Sequence, residues 1–100
     1  MRAYLIVMHP GALLDGFDQE AFHKKLTTVQ GVVSWWHYLP NVYIILVADD
    51  VNASGVSDYV QTIIGTKHFL VTRFNLWDHN GWLPQAAWDW LNENKEKYRM

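Results

Sequence analysis

A chain of 100 residues is long enough for one domain with its own core, and we predict a single domain over residues 1–100. The chain has no cysteine, which excludes disulfides, thiol catalysis and cysteine-zinc sites. Its formal net charge of −2 argues against strong non-specific binding to nucleic acid. Six Trp, five Tyr and four Phe are a heavy aromatic load, so we expect some of these rings to lie in an interface.

The first elements in chain order are a strand and a helix. Residues 3–8 are predicted to form an apolar strand. This run is too short for a signal peptide or a membrane span, so we expect a cytoplasmic protein with no membrane partner. Asp18 suits the start of a helix in which Phe22, Leu26 and Val29 recur on one face.

A β-hairpin over residues 33–48 follows, and both of its strands are apolar on both faces. Pro40 and Asn41 suit a two-residue turn, which fixes the pairing of the strands. The aliphatic set, expected under the helices, is Leu39 with Val42, His37 with Ile44, and Trp35 with Leu46. The aromatic set, expected on the opposite face, is Tyr38 with Tyr43 and Trp36 with Ile45.

The second half of the chain predicts a helix, a strand and a final helix. Asn52 or Ser54 can cap the first of these helices. Its apolar face is Val56, Val60, Ile63 and Ile64. Residues 67–74 are predicted to form the fourth strand, and Pro84 opens a last helix over residues 85 to about 97.

The resulting order, βαββαβ with an added helix, predicts an α+β ferredoxin-like sandwich with strand order 4-1-3-2 and an extra C-terminal helix. We expect strands one and three to be parallel neighbours, with both crossover helices on one face of the sheet. The other face then requires a separate cover. The alternatives are the C-terminal helix, a second subunit, or both.

Four apolar segments carry a resemblance to a known family. They are residues 4–7 (YLIV), 35–39 (WWHYL), 43–45 (YII) and 82–91 (WLPQAAWDWL). The chain resembles, over nearly its whole length, the small family labelled SinR family protein, which is distantly similar to the small nuclease subunit of CRISPR adaptation. That label does not denote a helix-turn-helix repressor. The resemblance implies the ferredoxin-like fold and a homodimer.

The chain departs from those nucleases at the end of the first strand. There the nucleases carry an aspartate that holds a divalent metal, whereas this chain has Met8 and His9. This departure favours a non-enzymatic homodimeric binding or accessory module, regulatory or associated with nucleic acid, over a metal-dependent nuclease or phosphodiesterase. A third alternative is a small-molecule sensor that uses the aromatic face of the sheet as its pocket.

Two histidine sites are candidates for chemistry. In the expected topology His9, Asp49, Asp50 and His68 approach one edge of the sheet, where imidazole and carboxylate could hold zinc or manganese or act as a general acid-base pair. Alternatively, these residues only pack, turn the chain or end a strand. We therefore expect no cofactor, and a bound divalent metal is the remaining alternative. His37, on an otherwise apolar face, is either a functional imidazole or a hydrogen-bonded structural residue.

Aromatic residues supply the remaining candidates. Trp77, Asp78, His79 and Trp82 could stack and contact a base or a sugar, but we favour packing of the two Trp rings under the final helix. The residues predicted for a dimer interface are Trp36, Tyr38, Tyr43 and Trp90.

Overall fold

The computed structural model describes residues 1–9, 19–29, 31–64 and 68–97. The strands are β1 (Arg2–Met8), β2 (Val32–Leu39), β3 (Val42–Val47) and β4 (Phe69–Arg73). The helices are α1 (Gln19–Thr27), α2 (Ala53–Ile64) and α3 (Gln85–Asn94), and one 3-10 turn, Lys95–Lys97, follows α3. The predicted ferredoxin-like α+β fold with an added C-terminal helix is confirmed. The predicted cap Asp18 lies outside the described residues.

The strand order β2-β3-β1-β4 is the predicted order read from the other edge. The predicted parallel pairing of strands one and three is wrong, because β1 pairs antiparallel with both β3 and β4. The physical reason is the hairpin: β1 and β2 are the parallel strands joined by the crossover, and β3, inserted between them, must run in the opposite direction. The carboxyl end of β1 therefore lies beside the start of β3, not beside its end.

The hairpin has the predicted turn but not the predicted register throughout. Leu39 lies opposite Val42 as expected, but Trp36 lies opposite Ile44 instead of Ile45. Three residue steps in β2 match two in β3 between these pairs, so β2 contains one extra residue. Such a β-bulge shifts the pairings of residues 34–36 by one residue, and a second irregularity between Val32 and Ser34 shifts the pairing of Val32 by one more.

The two faces of the sheet have different helical covers. The crossover face, under α1 and α2, buries Tyr4, Ile6, Met8, Tyr43, Ile45 and Val47 together with Phe22, Leu26, Val56, Val60 and Ile64. The α3 face buries Ala3, Trp36, Ile44 and Leu46 together with Leu76, Ala87 and Leu91. The predicted faces of β3 are therefore reversed, and the bulge in β2 is the reason. Trp36 still lies on the predicted side.

The helices follow local signals in the sequence. Asn52, one of two predicted caps for α2, accepts a hydrogen bond from the Gly55 backbone N–H at 2.9 Å. Two hydrogen bonds join α3 to β2. The indole Nε1 of Trp36 on β2 donates to the Ala87 carbonyl of α3 at 3.1 Å, and Nε1 of Trp90 on α3 donates to Ser34 Oγ of β2 at 2.9 Å. Helix α3 thus covers part of the second face. Along the described stretches, no helix combines the length and the apolar character needed to span a bilayer.

Candidate functional site

The predicted metal cluster is divided between the two ends of the sheet. The His9 backbone N–H donates to the His68 carbonyl at 2.9 Å, and the two imidazole centroids are 6.5 Å apart. At the far end of β1, the Met1 ammonium forms an ion pair with Asp49. The expectation that these residues meet at one edge is therefore wrong.

The antiparallel pairing of β1 with β3 explains the separation. Asp49 and Asp50 follow the end of β3, which lies beside Arg2 at the start of β1, whereas His9 follows the opposite end of the strand. Within the described ranges, no three histidine or acidic side chains are arranged to hold a metal ion.

A different histidine group lines a cavity of about 260 Å³ at the side of the crossover face. We call it the histidine cavity, and its lining residues are Glu20, His23, His37 and Tyr43. Helix α1 supplies Glu20 and His23, which are three positions apart and so lie on one side of the helix. The bulged strand β2 supplies His37, and β3 supplies Tyr43.

Hydrogen bonds define the polar groups of the histidine cavity. His37 Nδ1 lies 2.9 Å from the Val42 carbonyl oxygen, which accepts only, so this nitrogen carries the proton. His23 Nδ1 lies 2.9 Å from the Tyr43 hydroxyl. Burial raises the pKa of Tyr43 from 10.0 to about 12, so the phenol stays protonated at neutral pH.

Ring contacts hold the same group in place. The imidazole of His37 stacks on the Tyr43 ring at 3.9 Å with an interplanar angle of 2°, and His23 makes an edge contact with Trp35 at 5.6 Å. The prediction that His37 lies on the face under the helices agrees with this placement. Sequence reasoning missed His23, because only the packing of α1 on the sheet brings it to the strand residues.

A second cavity, of about 300 Å³, lies on the α3 face, and we call it the apolar cavity. Its floor comes from the strands: Leu5, Trp36, Leu39, Val42 and Ile44. Its wall comes from Phe74 and the segment before α3: His79, Asn80, Gly81, Trp82 and Leu83. The lining is almost entirely hydrophobic, and His79 and Asn80 are the lining residues with polar side chains.

His79 is held by three neighbours. Its Nδ1 lies 3.1 Å from the Asn75 carbonyl oxygen, so Nδ1 carries the proton. The ring stacks with Phe74 at 5.4 Å and with Trp88 at 6.0 Å, at interplanar angles of 27° and 18°. Neutral His79 therefore has a hydrogen-bond acceptor at Nε2, on the edge of a ring whose faces are used in stacking.

The tryptophans of the predicted binding segment do not pack under α3. Trp82 is 100% exposed and Trp77 is 61% exposed, whereas their neighbour Leu76 is buried. Trp77 lies instead under the Lys95 ammonium, 4.8 Å from its ring centroid. Asp78 is exposed, and of the predicted segment only His79 and Trp82 line the apolar cavity.

The residues predicted for a dimer interface do not form one surface. Trp36 is 3% exposed under α3, and Tyr43 is fully buried on the opposite, crossover face. The reversed facing of β3 accounts for Tyr43, and α3 accounts for Trp36. Tyr38 is exposed beside Trp36, and Trp90 is half-buried against Ser34.

No protein-family model matches the chain, and no curated protein matches it. Among solved structures, the chain is similar to the solution structure of the yeast copper transporter domain Ccc2a in the apo and Cu(I)-loaded states. The two are 14% identical, the match covers 74% of this chain and 96% of that chain, and the TM-score is 0.47. A likeness of this size gives no information on what this chain binds.

Proposed function

We propose that this protein is a non-enzymatic binding module whose ligand is a small, largely hydrophobic molecule held in the apolar cavity. The observation that carries the proposal is the cavity itself. Ligand sites are typically concave, lined by hydrophobic and aromatic side chains, and supplied with a few polar groups that orient the ligand. The apolar cavity has this composition, at the lower end of the usual size range.

The exposure of the rim supports the same function. Trp82 is fully exposed and Leu39 is 41% exposed, although both line the cavity. Covering apolar surface is worth about 2.5 kcal/mol for each 100 Å² removed from water. A flat ligand seated against Trp82 would therefore gain affinity from a surface that the chain leaves in contact with solvent.

Homodimerisation is a second proposal, and it has its own observation. Seven large hydrophobic side chains of the described residues are exposed: Val33, Trp35, Tyr38, Leu39, Leu70, Trp77 and Trp82. Four of them lie on β2, which is an edge strand of the sheet, and exposed hydrophobic residues that are grouped in this way are typical of protein–protein contacts. Light scattering at micromolar concentration is expected to give twice the monomer mass, and a monomer mass would refute the dimer but not the ligand site.

The remaining predictions concern nuclease activity, family resemblance, nucleic-acid association and cellular location. The nuclease alternative comes from the resemblance, and the four residues expected to hold its metal lie at the two ends of the sheet, so it has no assembled metal site in the part of the chain described here. The resemblance to the SinR family, an association with nucleic acid and a cytoplasmic location stay predictions.

Titration with N-methylindole, a compact apolar bicycle, tests the ligand site. With ten heavy atoms at roughly 0.5 kcal/mol each, we expect a dissociation constant on the order of 0.2 mM. Backbone amide shifts measured by NMR should move for Val42 and for residues 79–83.

A pair of variants locates the binding. Val42→Phe fills the apolar cavity and should abolish the titration, whereas Val33→Phe adds the same ring at an exposed position outside the cavity and should leave it unchanged. Thermal unfolding confirms that both variants are folded. Binding that survives in folded Val42→Phe, or no binding in the wild type at millimolar probe, would refute the proposed function.

A further inference from the structure

The polar chemistry of the apolar cavity restricts what it can hold. Hydrophobic lining rewards any apolar ligand of the right size and selects weakly among them. Selectivity depends on the polar groups, because a ligand that leaves a polar group of the site without a partner loses its hydrogen-bond energy. Trp36 uses its indole N–H on the Ala87 carbonyl and Asn80 accepts from the Gly81 N–H, whereas His79 has a hydrogen bond at Nδ1 and a second ring nitrogen, Nε2.

The tautomer of neutral His79 follows from its surroundings. The Asn75 carbonyl can only accept, so the proton lies on Nδ1, and Nε2 has a lone pair in the plane of the ring. Phe74 and Trp88 use the faces of the imidazole. The edge of the ring that carries Nε2 is thus the polar part of His79 that remains for a ligand.

We infer that the apolar cavity is selective for planar aromatic molecules with an N–H or O–H donor in the ring plane, such as indoles and phenols, and that the donor binds His79 Nε2. This inference rests on the proposed function and specifies its ligand class. A donor in the ring plane suits an acceptor at the edge of the stacked imidazole. The flat body of the ligand then lies between the strand floor and Trp82.

The same chemistry has a second source, the indole of Trp82 from another copy of the chain. Trp82 is fully exposed, and its Nε1–H is a donor of the required kind. We assign the cavity to a free small molecule, because Trp82 already lies at the rim of the cavity of its own chain. The experiment below separates the two sources.

The test compares indole with N-methylindole, which has the same bicycle but no donor. One neutral hydrogen bond contributes about 0.5–1.5 kcal/mol, so we expect indole to gain roughly twofold to tenfold in affinity from its donor. The ratio of the two affinities is measured by calorimetry in the wild type and in His79→Phe, which keeps a stacking ring without the acceptor. The change of this ratio between the two proteins cancels the different hydrophobicity of the probes.

Each outcome distinguishes the inference from the proposed function. A ratio that falls about twofold or more in His79→Phe supports the inference. Equal ratios in the two proteins, with both probes bound, would refute the donor contact and leave the proposed function intact. If neither probe binds the wild type, the proposed function fails and this inference fails with it.

Two further measurements remove the remaining ambiguities. In the wild type, the nitrogen-15 resonance of His79 Nε2 should move on addition of indole and much less on addition of N-methylindole. This measurement does not depend on the folding of any variant. Sedimentation with and without indole identifies the source of the ligand. A dimer that indole dissociates, together with tighter indole binding by Trp82→Ala, would assign the cavity to the second copy and overturn our assignment.

Discussion

The two faces of this sheet are covered to very different extents. On the crossover face, two helices enclose a continuous cluster that includes Tyr4, Phe22 and Tyr43, each at most 1% exposed. On the α3 face, one helix of ten residues covers Trp36 and Leu46, while Leu70 is 63% exposed. A four-stranded sheet needs two helices to close a face, and one helix leaves room for a cavity.

The cavities of the two faces differ in the same way. The histidine cavity combines two imidazoles, a carboxylate and a buried phenol; His23 is hydrogen-bonded to the Tyr43 hydroxyl, and His37 donates to the backbone carbonyl of Val42. The apolar cavity is hydrophobic and has an exposed aromatic rim. A closed face thus stabilises polar groups at its margin, whereas a partly covered face leaves hydrophobic surface for another molecule.

The largest effect expected is that of Trp36→Ala, which would break the packing of α3 on the sheet. The substitution removes a buried ring and the hydrogen bond to Ala87, so we expect the free energy of unfolding to fall by about 3–5 kcal/mol. Trp35→Ala is the matched control, because Trp35 is 44% exposed, and it should cost less than half as much. Urea unfolding measures both, and equal losses would contradict the assignment of these neighbours to a buried and an exposed site.

Alkaline titration tests the closed face through Tyr43. Its pKa is about 12 in the folded chain and near 10 in the unfolded chain, so the unfolded state loses its proton first. This contribution to stability is complete below pH 10 and is lost as the pH rises from 10 to 12, by on the order of 2 kcal/mol.

Tyr43→Phe supplies the comparison for that titration. Below pH 10 the variant should be less stable by about 1 kcal/mol, because His23 loses its hydrogen bond. Between pH 10 and 12 its stability should fall less steeply than that of the wild type. Parallel pH profiles for the two proteins would contradict the burial of this phenol.

The smallest effect concerns the polar contact between α3 and β2. Ser34→Ala removes the acceptor of the Trp90 indole N–H and should lower the free energy of unfolding by about 1 kcal/mol. Ser57→Ala, on α2, is the matched control. A loss at Ser34 no larger than at Ser57 would show that Trp90 is held by packing alone.

The fold could be predicted from the sequence because the turn residues and the spacing of the apolar residues indicated the same elements along the chain. The Pro40–Asn41 turn fixed the hairpin, and the spacing of Val56, Val60 and Ile64 matched the buried face of α2. The facing of β3 could not be predicted in this way. Residues 42–47 are apolar without exception, so alternation gives no information about which side chains meet which helix.

The candidate sites depended on tertiary information that local patterns lack. The predicted metal cluster required the direction of β3, and an incorrect parallel pairing placed Asp49 beside His9. His23 follows the core residue Phe22 on α1, and nothing local distinguishes it from an ordinary helix-surface residue. Trp82 was expected to be buried because large rings usually are, yet the chain leaves it fully exposed.

The extra residue in β2 has a consequence for the length of the strand. The bulge lies between Trp36 and Leu39. Within this part of β2, His37 lines the histidine cavity and Leu39 lines the apolar cavity, so the two cavities share a wall that depends on the bulge. Deleting one residue there would let residues 34–39 pair with β3 without interruption and would remove this shared wall. The number of residues in β2, and not only their identity, therefore determines whether the protein has either cavity.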